Sequence, residues 1–168
     1  MDPSLTTVGW SASDVEGNKI ENFHVGKISP PKSGSTVERV KKMLDDVKDV
    51  FYERVVNGIA GAPVEIVIEI PSGRTTMRHK GGGYGLAKYG FAVGSLWQMF
   101  HIMYDANVHA VDENWTGSRS KDARQKIAFK HHPLMKRLKD PGMDMSDAVA
   151  LAVWWAQIGR KKLKGVGA

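Results

Sequence analysis

Residues 64–70, VEIVIEI, carry the clearest pattern in the chain: Val64, Ile66, Ile68 and Ile70 fall on one face and Glu65, Val67 and Glu69 on the other. That alternation predicts a strand, and Pro71 and Gly73 close it. Earlier, residues 5–13 (LTTVGWSAS) and 19–28 (KIENFHVGKI) read as two strands joined through the turn chemistry of DVEGN, so the chain opens on a hairpin. Pro30, Pro31 and Gly34 interrupt it. Ser35 and Glu38 have capping-box spacing, and Val37, Val40, Leu44, Val47, Phe51 and Val55 recur at helical steps, which predicts an amphipathic helix ended by residues 58–63. Leu86, Tyr89, Val93, Leu96, Phe100 and Met103 predict a second helix over 85–104. A short strand follows at 108–111, then a helix over about 121–138 and a last one over 145–158. Hairpin, helix, strand, helix, strand, helix, helix is an α/β order: a mixed β-sheet flanked by α-helices. One domain is expected over 1–160, with a basic tail over 161–168.

Composition narrows the picture. The chain has 168 residues, 42% of them hydrophobic and 25% charged, as in an ordinary globular domain. No apolar run approaches the roughly 18–20 residues that a membrane span needs, and MDPSLTTVGW lacks the basic start and apolar stretch of a signal peptide. The absence of cysteine excludes disulfides and thiolate zinc sites. A net charge of +6 and a pI of about 9.5 favour a polyanionic partner such as nucleic acid, although a merely basic protein fits the same numbers.

Three groups of carboxylates carry the candidate chemistry. Glu69 ends a strand, and the carboxyl ends of strands are where open α/β sheets bind ligands. Glu65 and Glu69 equally fit a solvated or helix-covered strand face. Asp144 and Asp147, in DMSDAVALAVWWA, stand three apart at a helix start and share a face. Asp144 also fits a helix cap. Ala148 and Ala152, one turn apart, allow this helix to approach the sheet and bring its carboxylates to the strand ends. Such an acidic set suits a hard cation such as Mg²⁺. Asp2 precedes Pro3 just ahead of the first strand, where a plain turn is the alternative.

Taken in order, these fragments resemble the RuvC family of Holliday-junction resolvases. MDPSLTTVGW resembles the family's first motif, which opens with an Asp on the first strand; VIEIPSG resembles the second; DMSDAVALA resembles the last, where two acidic residues begin the final helix. The resemblance spans nearly the whole chain. It implies an RNase H-like fold, a homodimer, and Mg²⁺-dependent cutting of four-way DNA junctions by paired symmetric nicks in recombination and repair. It makes Asp2, Glu69, Asp144 and Asp147 the catalytic, metal-binding carboxylates of a two-ion site, with Mn²⁺ as a substitute for Mg²⁺. Asp2 is expected to bridge the ions, with Glu69 on one and Asp144 and Asp147 on the other. It also implies a cytoplasmic protein of a bacterium or a phage.

Basic residues are expected to hold the DNA. TGSRSKDARQK resembles the family's basic segment before its third helix, which singles out Arg119, Lys121 and Arg124, with Lys126 beside them; a solvated helix face is the alternative. Arg74, Arg78, Lys80 and Lys88 flank GGGYG, which resembles the family's DNA-facing segment after the catalytic Glu. Glycines there let the backbone approach phosphate, and Tyr84 either stacks on an unpaired base or packs on the protein. The chain departs from the family pattern twice. One residue stands ahead of Asp2, where the family's first strand starts several earlier, which leaves an upstream start, a trimmed chain or a very short strand. Ile70, Pro71 and Ser72 follow Glu69 where relatives carry an aromatic wedge. Two other readings use the same residues: a broader RNase H-like nuclease acting on flaps, branched DNA or RNA–DNA hybrids, and a binding module without catalysis, which the retention of all four carboxylates opposes. The helix at 35–57 or the one at 85–104 is expected to form the dimer interface.

Overall fold

The alternating residues at the start of the chain form an antiparallel hairpin in the computed structural model, which describes residues 1–3, 6–53, 64–70, 82–104 and 106–164, without the side chains of residues 2, 82–84 and 163–164. Its strands are β2 (Val8–Glu16) and β3 (Lys19–Ile28), joined where Gly17 takes a φ of 59°. A bulge between Ala12 and Asp14 resets the pairing, so that Gly9 lies opposite Lys27. The opening strand expected over 5–13 starts at Val8 as β2, and a separate strand lies ahead of it. β1 is only Asp2–Pro3 and runs antiparallel to β2, with Asp2 opposite Gly9. Pro3 lacks the N–H that would extend the ladder.

The capping box forms as the spacing predicts: Glu38 N donates to Ser35 Oγ at 3.2 Å and Ser35 N to the Glu38 carboxylate at 2.7 Å. It starts α1 (Thr36–Phe51), whose buried stripe is Val40, Met43, Val47 and Phe51, while Val37 of the predicted set faces out. β4 (Glu65–Ile70) places Ile66 and Ile68 in the same core, together with Val93, Leu96 and Phe100 of α2 (Gly82–Tyr104). After α2 the chain returns as β5 (Asn107–Asp112), parallel to β4, and makes a short 3₁₀ turn at Glu113–Thr116.

Two sheets result, β1-β2-β3 and β4-β5. Met1 joins them edge to edge: its amino group donates to Val67 O at 2.6 Å, and its carbonyl accepts from Glu69 N at 3.0 Å. The strands therefore follow the spatial order β3-β2-β1-β4-β5. α1 and α2 cover one face. The other is covered by α3 (Lys121–His131) and α4 (Asp144–Trp154), which bury Ala128, Val149 and Val153 against Ile20 and Phe23 of β3.

Two helices differ from expectation. The one predicted over 121–138 stops at His131, because a proline excludes the helical conformation from the residue before it; His132 is extended at φ −135° and ψ 81°, and Pro133–Arg137 is a 3₁₀ turn. The last helix starts at Asp144 and does not stop at 158. It passes through a π-helical stretch at Trp155–Gly159 into α5 (Arg160–Lys164). Gly159 makes room there for the indoles of Trp154 and Trp155, since a Cβ at this position would meet a Trp155 ring carbon at 2.5 Å.

Candidate active site

Glu69 is brought to the site by the strand alternation that buries Ile68 beside it. Its carboxylate accepts from Trp115 Nε1 at 2.5 Å, and Trp115 comes from the 3₁₀ turn after β5. Burial pushes the carboxyl above the usual carboxylate range, and the nearby Asp147 adds to the effect. The Trp115 bond, the Met1 ammonium and Arg124 pull the other way without restoring it.

The start of α4 holds the other described carboxylates. Met143 precedes it in the left-handed region at φ 62° and offers no side-chain cap. The capping acceptor is Asp140, which receives Ser146 N at 2.9 Å, Ser146 Oγ at 2.8 Å and Met145 N at 3.3 Å. Asp144 is thus not the cap. It pairs with Lys27 of β3. Asp147, only 6% exposed, is gripped from both sides of its carboxylate by Arg124 of α3: Nε donates to Oδ1 at 2.6 Å and an Nη to Oδ2 at 3.0 Å.

Glycine sets how closely α4 approaches the sheet. A Cβ on Gly9 would lie 2.0 Å from Asp144 O, so any side chain there would lift the helix start off β2. Further along, Ser11 Oγ donates to Ala148 O at 2.9 Å, with Ala148 buried at the contact, as the small-residue spacing predicts. Asp144 therefore sits over Gly9, Gly9 pairs with Asp2, and Met1 beside Asp2 bonds to Glu69. The backbone brings all three acidic segments to one place on the sheet. Among the described residues, no three His, Asp or Glu side chains come close enough to hold a metal ion. Glu69, Asp144 and Asp147 do not make a cage by themselves, and the Asp2 side chain lies outside the described set.

The basic residues divide. Arg119 and Lys121 are exposed beside the start of α4, where Lys121 Nζ donates to Gly142 O at 3.3 Å. Arg124 is committed to Asp147 and to Arg119 O, the latter at 3.2 Å, rather than displayed on a solvated face. Lys88 is half-buried on α2. Tyr84 lies in the first turn of α2 without a described side chain, and Arg74, Arg78 and Lys80 fall outside the described residues. Sequence reasoning missed Lys27, Trp115 and Asp140. Lys27 was open to discovery only through the hairpin register, which sets it opposite Gly9. Asp140 stands four residues ahead of Asp144, and no local pattern says which of the two caps the helix.

No protein-family profile matches the chain. It is 29% identical over 153 residues to the crossover junction endodeoxyribonuclease RuvC of Zymomonas mobilis, an alignment covering 91% of this chain and 86% of that protein. Among solved structures, Thermus thermophilus RuvC in complex with Holliday junction substrate superposes with a TM-score of 0.72 at 17% identity, over 95% of this chain and 92% of that one. A second Thermus thermophilus RuvC structure gives 0.68 at 19% identity, over 96% and 93%. These likenesses agree with the motif order and with the mixed sheet between helices: the chain is RuvC-like in sequence and has the RNase H-like fold of RuvC.

Proposed function

We propose that this protein is a metal-dependent DNA endonuclease that resolves four-way junctions by paired symmetric nicks. The observation that carries the reading is the convergence of Glu69, Asp147, Asp144 and the backbone of Asp2 on one patch of a RuvC-like fold. Relatives named for crossover-junction cleavage and for a Holliday-junction complex support it. Its setting is the cytoplasm of a bacterium or of a phage host, in recombination and repair.

Asp2, Glu69, Asp144 and Asp147 are assigned as the ligands of two Mg²⁺ ions, for which Mn²⁺ can substitute. The donor chemistry fits: every group is a carboxylate, and hard divalent cations take carboxylate oxygens. Glu69 also fits electrostatically, being a buried acid beside a second acid whose upward push the Met1 ammonium and Arg124 do not cancel. Bound here, such ions supply an activated water and counter-charge for the scissile phosphate. The chain's own residues position the ligands. Arg124 fixes both oxygens of Asp147, Lys27 holds Asp144 over Gly9, and Trp115 fixes the rotamer of Glu69. Arg119 and Lys121, exposed at the rim, attract the phosphate backbone, and Arg74, Arg78, Lys80, Tyr84 and Lys88 are assigned to the same DNA path.

Paired nicks need two equal sites, hence a two-fold dimer. Of the two expected helices, α2 is favoured: Phe91, Trp97 and Ile102 are exposed on its outer side, and Gly90 and Gly94 open that surface further. Cleavage of a synthetic mobile four-way junction with Mg²⁺, beside a duplex, a flap and an RNA–DNA hybrid, tests the reading. Symmetric nicks confined to the junction are expected, and chelation abolishes them. Equal cutting of the other substrates would move the function to a broader structure-selective nuclease.

A further inference from the structure

Two of the carboxylates assigned to the metal site are covered by cations of their own chain. Arg124 bonds both oxygens of Asp147, Nε to Oδ1 at 2.6 Å and Nη2 to Oδ2 at 3.0 Å. Lys27 pairs with Asp144 through Oδ2. Glu69 differs, since its indole donor, Trp115 Nε1, is uncharged. The two cations come from different elements, α3 and β3, and meet two acids of the same turn of α4.

A carboxylate as buried as Asp147 is costly to leave without a cation. Arg124 meets that need, and so does a divalent ion on the same oxygens. Both together do not fit well. Hard ions sit about 2 Å from carboxylate oxygens, so a guanidinium still gripping that carboxylate is repelled at short range. Charge gives the same answer. Four carboxylates and two divalent ions balance, which leaves Arg124 and Lys27 as surplus positive charge beside the site.

Both cations are placed to use that surplus. The Arg124 side chain is 13% exposed and that of Lys27 25%, so each reaches solvent. Arg124 Nη1 donates to Arg119 O at 3.2 Å, which ties the guanidinium to the rim where Arg119 and Lys121 are exposed. A fork that fits a carboxylate fits the oxygens of a phosphodiester equally well, and an ammonium binds phosphate as a point charge.

We propose that Arg124 and Lys27 are exchangeable counter-cations: they hold Asp147 and Asp144 until divalent ions take those carboxylates, and then turn to the DNA backbone. The inference rests on the nuclease reading and adds a coupling to it. Metal binding delivers two phosphate contacts, so metal and DNA each tighten the other by the same factor.

The test has two measurements, neither of them cleavage. The first is Mn²⁺ affinity without DNA, followed by water-proton relaxation in the wild type, Arg124→Ala, Lys27→Met and Lys121→Met. Arg124→Ala is expected to bind Mn²⁺ at least about tenfold tighter and the more exposed Lys27→Met about threefold tighter. Lys121, whose ammonium bonds Gly142 O instead of an acid, should change it less than about twofold. Unchanged or weaker binding in both Arg124→Ala and Lys27→Met would make these cations permanent supports and overturn the proposal. So would an equal gain in Lys121→Met, which would report only the general field. Lys27→Met keeps the question open to decision if Arg124→Ala does not fold.

The second measurement is the salt dependence of four-way-junction binding, in chelator and in Ca²⁺. In chelator the wild type and each variant should share one slope of log affinity against log salt. In Ca²⁺ the wild-type slope should be steeper by about one for each cation removed. A slope difference that is the same in both conditions overturns the hand-over. Absence of Mn²⁺ binding in all four proteins would instead remove the nuclease reading, and the proposal with it.

Discussion

Glu65 and Glu69 stand one above the other on the same face of β4, and each accepts a hydrogen bond from a tryptophan indole: Trp155 Nε1 at 2.8 Å for Glu65, Trp115 Nε1 at 2.5 Å for Glu69. Beyond that they diverge. Glu65 also receives Arg160 Nε at 2.8 Å, and although burial pushes its carboxyl up, the Arg160 and Trp155 donors hold it below the usual range. Burial pushes the Glu69 carboxyl up and the neighbouring acid Asp147 adds to it, while the Trp115 bond, the Met1 ammonium and Arg124 offset them only in part. One end of the strand carries its counter-charge within the fold. At the other, the nearby positive groups do not offset burial and a second acid, on the patch where the acidic segments converge. A carboxylate that the fold leaves under-compensated is the better candidate for chemistry, because a stability role selects for pairing.

The sharpest way to break this contrast is to neutralise each glutamate in turn. Glu69→Gln is expected to lower single-turnover junction cleavage by at least about 10³-fold, and Glu65→Gln by less than about tenfold. In chelator, Glu69→Gln should be at least as stable as the wild type in urea, since it removes a buried charge. Equal losses of cleavage from the two substitutions would sink the distinction between the two ends of β4.

Next in size is Arg124→Ala. Asp147 is buried and bonded by Arg124 through both oxygens, so removing the guanidinium strands a charge and should cost about 3 kcal/mol in urea denaturation. Adding Asp147→Asn should recover part of that loss. The corresponding cut at the other end, Arg160→Ala, should cost only about 1 kcal/mol, because both side chains of that pair are nearly a third exposed.

Gly9→Ala comes third. The added methyl meets the Asp144 backbone in the rigid first turn of α4, and overpacking of this kind costs about 2 kcal/mol. Cleavage should fall with it, as the helix start moves away from β1. Unchanged stability in the Gly9→Ala variant would mean that α4 does not rest on β2 as closely as the geometry requires.

What could be read from the sequence follows the range of the forces involved. The faces of β4, the capping box at Ser35 and the stripe of α1 depend on neighbours a few residues away, and all are legible as patterns. The same holds for the small residue Ala148 under α4. The short strand β1 was not legible, because Asp2-Pro3 ahead of a strand reads equally well as a turn. The end of α3 was readable in principle from Pro133, which bars the helical conformation from His132 before it. Of the site, the acidic residues were legible through their ordered resemblance to a family. Their partners were not. Lys27 reaches Asp144 only because a bulge sets the hairpin register, and Trp115 reaches Glu69 from a polar loop 46 residues away.

The smallest expected effect sharpens the comparison most, because its sign depends on the partners of Glu65 and not on burial alone. Near neutral pH, Glu65→Gln should cost about 1 kcal/mol, the worth of an ionised acceptor serving two donors at a partly exposed site. Because the Glu65 carboxyl titrates below its ordinary value of 4.5 in the folded protein, the unfolded chain takes up the proton first as the pH falls. The advantage of the wild type over Glu65→Gln is therefore complete above 4.5 and vanishes as the pH drops through the folded value. Urea denaturation of the two proteins at a series of pH values measures the difference. A gap that stays constant across that window would mean that Arg160 and Trp155 do not favour the ionised form. The two ends of β4 would then differ in depth of burial and not in the counter-charge that surrounds them.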